Sequence, residues 1–357
     1  MRKRALRGLF LAALLGAASV ASAQELARIS LDSTSGIDLF KGAGTNDRPD
    51  ASVDLNLVVR LHDGWLVHVR PWFFKSAQGP RWSKEIYQAA VQYQRGGRVA
   101  MRIDAGYIAS PIGLGMMDLR GDANPTIKPH LSYFVPLMPF DGAAPMVGPI
   151  SASYPLGSQL TMSTTRWDAR AAVIASAPTR RFALHAEAPN PRATPVLVIG
   201  GGVTPRPGLR VGAAVAAGKY ATNDEVADPG GADRRLAMWA FEGEYAWRHT
   251  KAAGEFTRES FDHGVSDVAY TWFMQAAQTL SPRWFAAARY EGISAPPFGG
   301  RVAAGPRIIY KTVEGSAGFR ISPDFTLRGS WFASRWYATM EYEQQAGVSI
   351  VWSRRWW

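Results

Sequence analysis

The chain has 357 residues, no cysteine, and 40 Lys and Arg against 29 Asp and Glu. Zero cysteine excludes disulfides, thiol nucleophiles and thiolate metal sites, and the basic residues are scattered rather than gathered into a patch, which speaks against nucleic acid as a partner. The composition is 47% hydrophobic with 13 Trp, 12 Tyr and 16 Phe, yet beyond the first residues no apolar run reaches the roughly eighteen that a membrane-spanning helix needs.

At the start, Arg2, Lys3, Arg4 and Arg7 precede an apolar run from Leu9 to Val20 and the small residues Ala21, Ser22 and Ala23. This is the pattern of a cleavable export signal. Residues 1–23 are expected to be removed, leaving 24–357 as a single domain with 36 basic and 29 acidic residues, a formal charge near +7.

From there on the dominant signal is alternation with period two, which places one set of side chains on each face of a strand. Val53, Leu55, Leu57, Val59 and Leu61 alternate with Asp54, Asn56, Val58 and Arg60, and His62-Asp63-Gly64 turns the chain into Trp65, Val67 and Val69. Met101, Ile103 and Ala105 alternate with Arg102 and Asp104, and Trp167, Ala169 and Ala171 alternate with Asp168 and Arg170. Similar ladders follow at 209–215, 239–245, 268–274, 284–290, 313–321, 325–331 and 348–352. One face of each is apolar, while the other mixes small with charged residues, which suits lipid outside and a water-filled lumen within.

Tight turns are expected at 62–64, 95–97, 165–166, 204–208, 248–250, 281–283 and 322–324. Other connections, several much longer, are expected at 33–50, 75–81, 109–155, 177–193, 220–235, 261–266, 293–305 and 337–340. Seven turns alternating with eight loops require about sixteen strands, with fourteen to eighteen left open because alternation is weak between 140 and 200. The fold expected is all-β, a transmembrane antiparallel up-and-down barrel. Trp65, Trp167, Trp284, Phe325 and Trp247 flank the tight turns as one aromatic girdle, and Phe73, Tyr107, Tyr220, Trp239 and Tyr290 lie toward the loops as another.

The repeated turns Thr204-Pro205-Arg206, Ser281-Pro282-Arg283-Trp284 and Ser322-Pro323-Asp324-Phe325, with the aromatic terminus at Trp357, resemble the Gram-negative outer-membrane porin superfamily of sixteen-stranded general and substrate-selective porins. The resemblance implies a passive channel for small hydrophilic solutes in the outer membrane, in contact with outer-membrane lipid and lipopolysaccharide. It also implies delivery by the barrel assembly machinery, although Val348, Ile350 and Trp352 are in phase with Trp356 and not with Trp357. No cofactor is implied. Small residues from Ala213 to Ala217 would permit close packing of barrels, leaving a homotrimer open.

The Pro-rich segment 109–155 carries Leu131, Phe134, Val135, Leu137, Met138 and Phe140 and is expected to fold into the lumen, in preference to forming an external lid or subunit contact. Its Asp118, Arg120, Asp122, Lys128 and Asp141 would then sit at the narrowest point. Strand parity places Arg60, Arg70, Arg102, Arg170, Arg210, Arg289, Arg320 and Arg328 inward, with Asp104, Asp168, Glu242, Glu244, Glu255, Glu291 and Glu314 near them. An Arg surplus there would raise the local anion concentration, an expectation of weak anion preference, set against mutual pairing that contributes little selectivity.

Two rivals are a barrel enzyme and a non-conducting barrel. His130-Leu131-Ser132 has the spacing of the outer-membrane phospholipases, but in a Pro-rich loop it lacks polar strand context to orient the base, and backbone satisfaction is the simpler reading. The other histidines are not paired at ligand spacing, which argues against a metal site. Gly200-Gly201-Gly202 lacks the Lys and helix of a phosphate loop, and such glycines in a strand mark bends or close approach.

Overall fold

The computed structural model describes residues 28–42, 48–77, 79, 81–114, 122–128, 130, 155–175, 195–221, 234–262, 266–295, 307–335, 337 and 340–356. The expected export signal lies outside them. The chain forms β1 (Arg28–Gly42), β2 (Asp50–His62), β3 (Trp65–Lys75), β4 (Ser83–Arg95), β5 (Ala100–Tyr107), β6 (Leu156–Ser163), β7 (Trp167–Ala175) and β8 (Pro195–Arg206). It continues as β9 (Leu209–Ala221), β10 (Arg234–Trp247), β11 (Thr250–Asp262), β12 (Ser266–Thr279), β13 (Trp284–Ala295), β14 (Ile308–Arg320), β15 (Phe325–Arg335) and β16 (Glu343–Arg355). Each strand pairs antiparallel with its sequence neighbours, and β1 closes on β16 with Asp32 opposite Arg355 and Gly42 opposite Gln345. Closure leaves no open sheet edge, which a barrel in lipid requires.

All seven tight turns fall where the sequence places them, six within a residue or two and the one expected at 204–208 shortened to 207–208 because β8 runs to Arg206. Gly208 illustrates their chemistry: its φ is +82°, and a Cβ there would collide with the Ala246 carbonyl oxygen of the next hairpin, which leaves glycine as the residue that fits. The first loop begins later than expected, because β1 runs to Gly42 instead of ending near residue 33. Ser33 and Ser35 interrupt its outward apolar series of Ile29, Leu31, Ile37 and Leu39. Pairing with β2 and β16 supplies the hydrogen bonds that this pattern alone does not announce.

The outward face is a largely apolar band. Leu197, Ile199, Phe241 and Met274 are 60%, 64%, 58% and 68% exposed, values that large side chains show only where a nonaqueous surface meets them. Trp65, Trp167, Trp247, Trp284 and Phe325 stand exposed at the tight-turn end, joined there by Trp352 and Trp356, whose rings meet edge-on at 5.9 Å. At the loop end Trp239 packs between Phe241 and Phe256, while Tyr290 lies nearer mid-strand than the loop.

The inner face is mixed, not uniformly polar. Toward the loops, Ile174, Val196, Val198, Leu236, Met238, Ile293 and Ile308 all face inward and are buried. In β8 this makes both faces apolar from Val196 to Ile199, so alternation vanishes there. With β6 and β7 only eight and nine residues long, that explains why the sequence signal is weak between 140 and 200.

Candidate functional site

The register of the ladders puts Arg60, Arg70, Arg102, Arg170, Arg210, Arg289, Arg320 and Arg328 on the inner face, together with Asp104, Asp168, Glu242, Glu244, Glu255, Glu291 and Glu314. Packing sorts them into three groups. On β2 and β3, Arg70 Nε donates to both Asp54 carboxylate oxygens at 3.0 and 3.1 Å, and both residues are buried. Two buried charges are tolerable only when matched in this way. The neighbouring His68 and Asn56 side chains hydrogen-bond to each other on the same wall.

On β7 to β10, four charges interlock. Arg170 Nη2 reaches both Glu242 oxygens at 2.9 Å, and Arg210 donates to Asp168 at 2.8 and 2.9 Å and to Glu242 at 2.7 Å. The guanidinium groups lie flat because the wall beneath is glycine: a Cβ on Gly200 would stand 2.9 Å from Arg170 Nε, and one on Gly202 2.7 Å from Arg210 Nη2. The run Gly200-Gly201-Gly202 is thus a floor for arginine side chains, an instance of the close approach that glycine in a strand permits.

The third group joins β13 to β16 with the connection after β5. Ile127 N–H donates to Glu314 Oε1 at 2.8 Å, and Arg289 bridges Glu314 Oε2 at 2.8 Å and the Lys128 carbonyl at 2.7 Å. Arg328 donates to the Asn124 and Thr126 carbonyls at 2.7 and 2.8 Å and to Ser349 Oγ at 2.8 Å. Lys128 Nζ donates to Gln345 at 2.6 Å and sits 4.4 Å from the centre of the Phe332 ring. Thr34 donates to Asp122 at 3.2 Å, and Leu114 N–H donates to Glu255 at 3.0 Å from beside Gly113, whose φ is +75°. Every wall partner here faces inward, so the described residues 112–114 and 122–128 pack against the inner face of the barrel. Burial holds the Lys128 ammonium below its usual pKa, against the pull of Glu314.

His130 is buried, its Nδ1 is 3.4 Å from Glu291 Oε2, and its ring lies 4.4 Å from that of Phe273. Burial lowers its pKa, while the Glu291 hydrogen bond works in the opposite direction. Ser132, Asp118, Arg120 and Asp141 lie outside the described residues.

The remaining charges are nearer water at the tight-turn end. Arg102 pairs with Asp104 of its own strand at 2.9 Å but is half exposed, and Glu244 meets Lys251 at 3.7 Å. Arg320 donates to the Pro282 carbonyl at 3.3 Å and covers Phe285. Among the described residues Arg60 makes no ion pair; it lines an open vestibule with Arg102, Gln94, Thr161 and Ser163. Of the inward arginines, therefore, Arg70, Arg170, Arg210 and Arg289 are neutralised by carboxylates, and Arg328 is spent on loop carbonyls. Parity alone misses Asp54, Asn124, Thr126, Gln345 and Ser349, because it reports the face a residue occupies and not the partner it meets.

No protein-family model matches the chain, and no curated protein matches it in sequence. Solved structures do. OmpF of Salmonella typhi, in complex with daunomycin, superposes with TM-score 0.59 at 12% identity, covering 92% of this chain and 98% of that one. An anion-selective porin from Comamonas acidovorans gives 0.56 at 11%, covering 93% and 100%. OmpT, an outer membrane protein of Vibrio cholerae, gives 0.57 at 8%, covering 93% and 99%. The likeness extends over nearly the whole of both chains and is one of fold: this chain shares the closed barrel of these proteins.

Proposed function

We propose that the protein is an outer-membrane pore through which small hydrophilic solutes diffuse passively, narrowed by residues 122–128 and His130 against the β13–β16 wall. The observation that carries this reading is the set of bonds from Arg289, Glu314, Arg328 and Gln345 to that segment inside a closed sixteen-stranded barrel. Sixteen strands enclose more space than side chains can fill. A segment bound to one wall narrows that space without sealing it. The tight-turn end is taken as periplasmic, and export by the removable signal follows.

Selectivity in this reading is weak and anionic. The paired arginines contribute dipoles and little net field, and half-exposed Arg102 is partly offset by Asp104, whereas Arg60 and Arg320 at the tight-turn end meet no carboxylate among the described residues and attract anions. His130 acts as an anchor for the segment, since it is buried against Glu291 and Phe273, which leaves it poorly placed to serve as a base for a lipid substrate.

The test is reconstitution in planar bilayers, with single-channel conductance and reversal potential in a salt gradient. Stable open steps with a small anion-directed reversal potential are expected, and R60E should shift it toward cations more than R170Q does. A folded barrel without conductance would overturn the pore reading.

A further inference from the structure

Arg98, Arg166, Arg206, Arg248 and Arg283 stand in or beside five of the seven tight turns, all exposed. Two differ from the rest in how they are held. A register shift between Val203 and Arg206 sets Arg206 opposite Leu209, whose cross-strand partner is the outward Tyr245. Continuing the parity of Gly200 and Gly202 would instead aim Arg206 into the lumen. Bulges re-aim side chains in this manner. The Arg206 guanidinium lies over the Tyr245 ring at 5.4 Å.

Arg248 is the one non-glycine residue with positive φ, 52°, among the described residues. That conformation costs an L-residue about 1 kcal/mol, and here it accompanies a guanidinium stacked on outward-facing Trp247 at 4.6 Å. The hydrogen bond from Ala246 N–H to the Gly208 carbonyl, 2.6 Å, ties the two turns together. Tyr245 and Trp247 are two apart on one face, a separation of roughly 7 Å. Among the described residues neither arginine makes an ion pair. The nearby Glu244 faces inward and is engaged by Lys251. Two cations thus rest on the aromatic belt, where lipid headgroups meet a barrel, with no carboxylate to neutralise them.

We infer that Arg206 and Arg248, on their Tyr245 and Trp247 platform, form a binding site for the phosphate of an anionic phospholipid in the leaflet at the tight-turn end. Guanidinium groups bind phosphate oxygens in a fork, and stacking on the rings fixes that fork in advance. The inference rests on the bilayer placement proposed above but not on conduction. Lipid retention and conductance can therefore fail separately.

The experiment is native mass spectrometry of the detergent-purified barrel, titrated with phosphatidylglycerol, with phosphatidylcholine as the neutral comparison and inorganic phosphate as competitor. Wild type should retain phosphatidylglycerol in preference to phosphatidylcholine. R206Q/R248Q should need roughly 30-fold more lipid, the loss expected for two near-surface cations. R206K/R248K, which keeps charge without the fork, should fall between. R166Q/R283Q removes the same charge from turns with no ring stack and should bind as wild type. Equal loss in R166Q/R283Q would mean diffuse attraction and no site. Unchanged retention by R206Q/R248Q, or full displacement by equimolar inorganic phosphate, would also overturn the inference. An unchanged folded band on gels, lost only on heating, would show that R206Q/R248Q is folded.

Discussion

Replacing Arg328 by Met tests whether the inward segment is held by the wall or merely lies beside it. The side chain is 3% exposed and donates at 2.7 and 2.8 Å to the Asn124 and Thr126 carbonyls. Methionine keeps most of the apolar stem and removes both bonds. Hydrogen bonds from a charged donor contribute about 1.5 to 3 kcal/mol each, so the docked arrangement should lose at least about 3 kcal/mol. At about 1.4 kcal/mol per factor of ten, that is roughly a hundredfold rise in the undocked population. The Ile127 amide, which donates to Glu314 at 2.8 Å, reports docking directly. Its hydrogen exchange in R328M should accelerate by about that factor, while amides of β10 and β11 keep wild-type rates. Single-channel records should show larger or noisier open steps. Wild-type exchange at Ile127 together with wild-type conductance would refute the idea that Arg328 holds the segment.

Acid should loosen the same segment. Burial lowers the His130 pKa, so docking is favoured above the ordinary histidine value of about 6.5 and weakens as pH falls from there through the depressed docked value. A lower Ile127 protection factor at pH 5 than at pH 7.5, with exchange referred to the intrinsic amide rate at each pH, is expected, and H130Q, which does not titrate, should lose that difference; if it keeps it, another group is responsible. G202V drives a side chain into the Arg210 guanidinium and should destabilise the barrel by about 1–3 kcal/mol, read from the temperature at which the folded band is lost on gels. R70M removes the matching charge from the buried Asp54 carboxylate and should cost about 3–5 kcal/mol in urea unfolding, whereas D54L/R70M should recover most of it. A double variant no better than R70M would show that the pair is not the source of the loss.

Much of the barrel was legible because its signals are local. A strand shows its two faces every second residue, and a tight turn declares itself in three or four residues such as Ser281-Pro282-Arg283. Strand number, the turn positions and the inner face of the arginines all follow from that spacing. It failed where the local signal was absent. In β1 outward serines masked a strand that pairing with β16 completes, and in β8 both faces are apolar because Val196 and Val198 are buried inside.

Outside β1, β8 and the register shift at Arg206, the sequence by itself determined which side chains look inward and which look outward, since alternation is a property of neighbouring residues. Tertiary structure alone decided what each inward charge does. Arg289 and Arg328 could have been free lumen cations, but 161 and 204 residues earlier in the chain lie the carbonyls they bind. Arg170 and Arg210 lie flat because glycines of β8 are their floor. Those partners meet only when the barrel closes and the segment enters it, and no pattern along the chain encodes a contact across that distance.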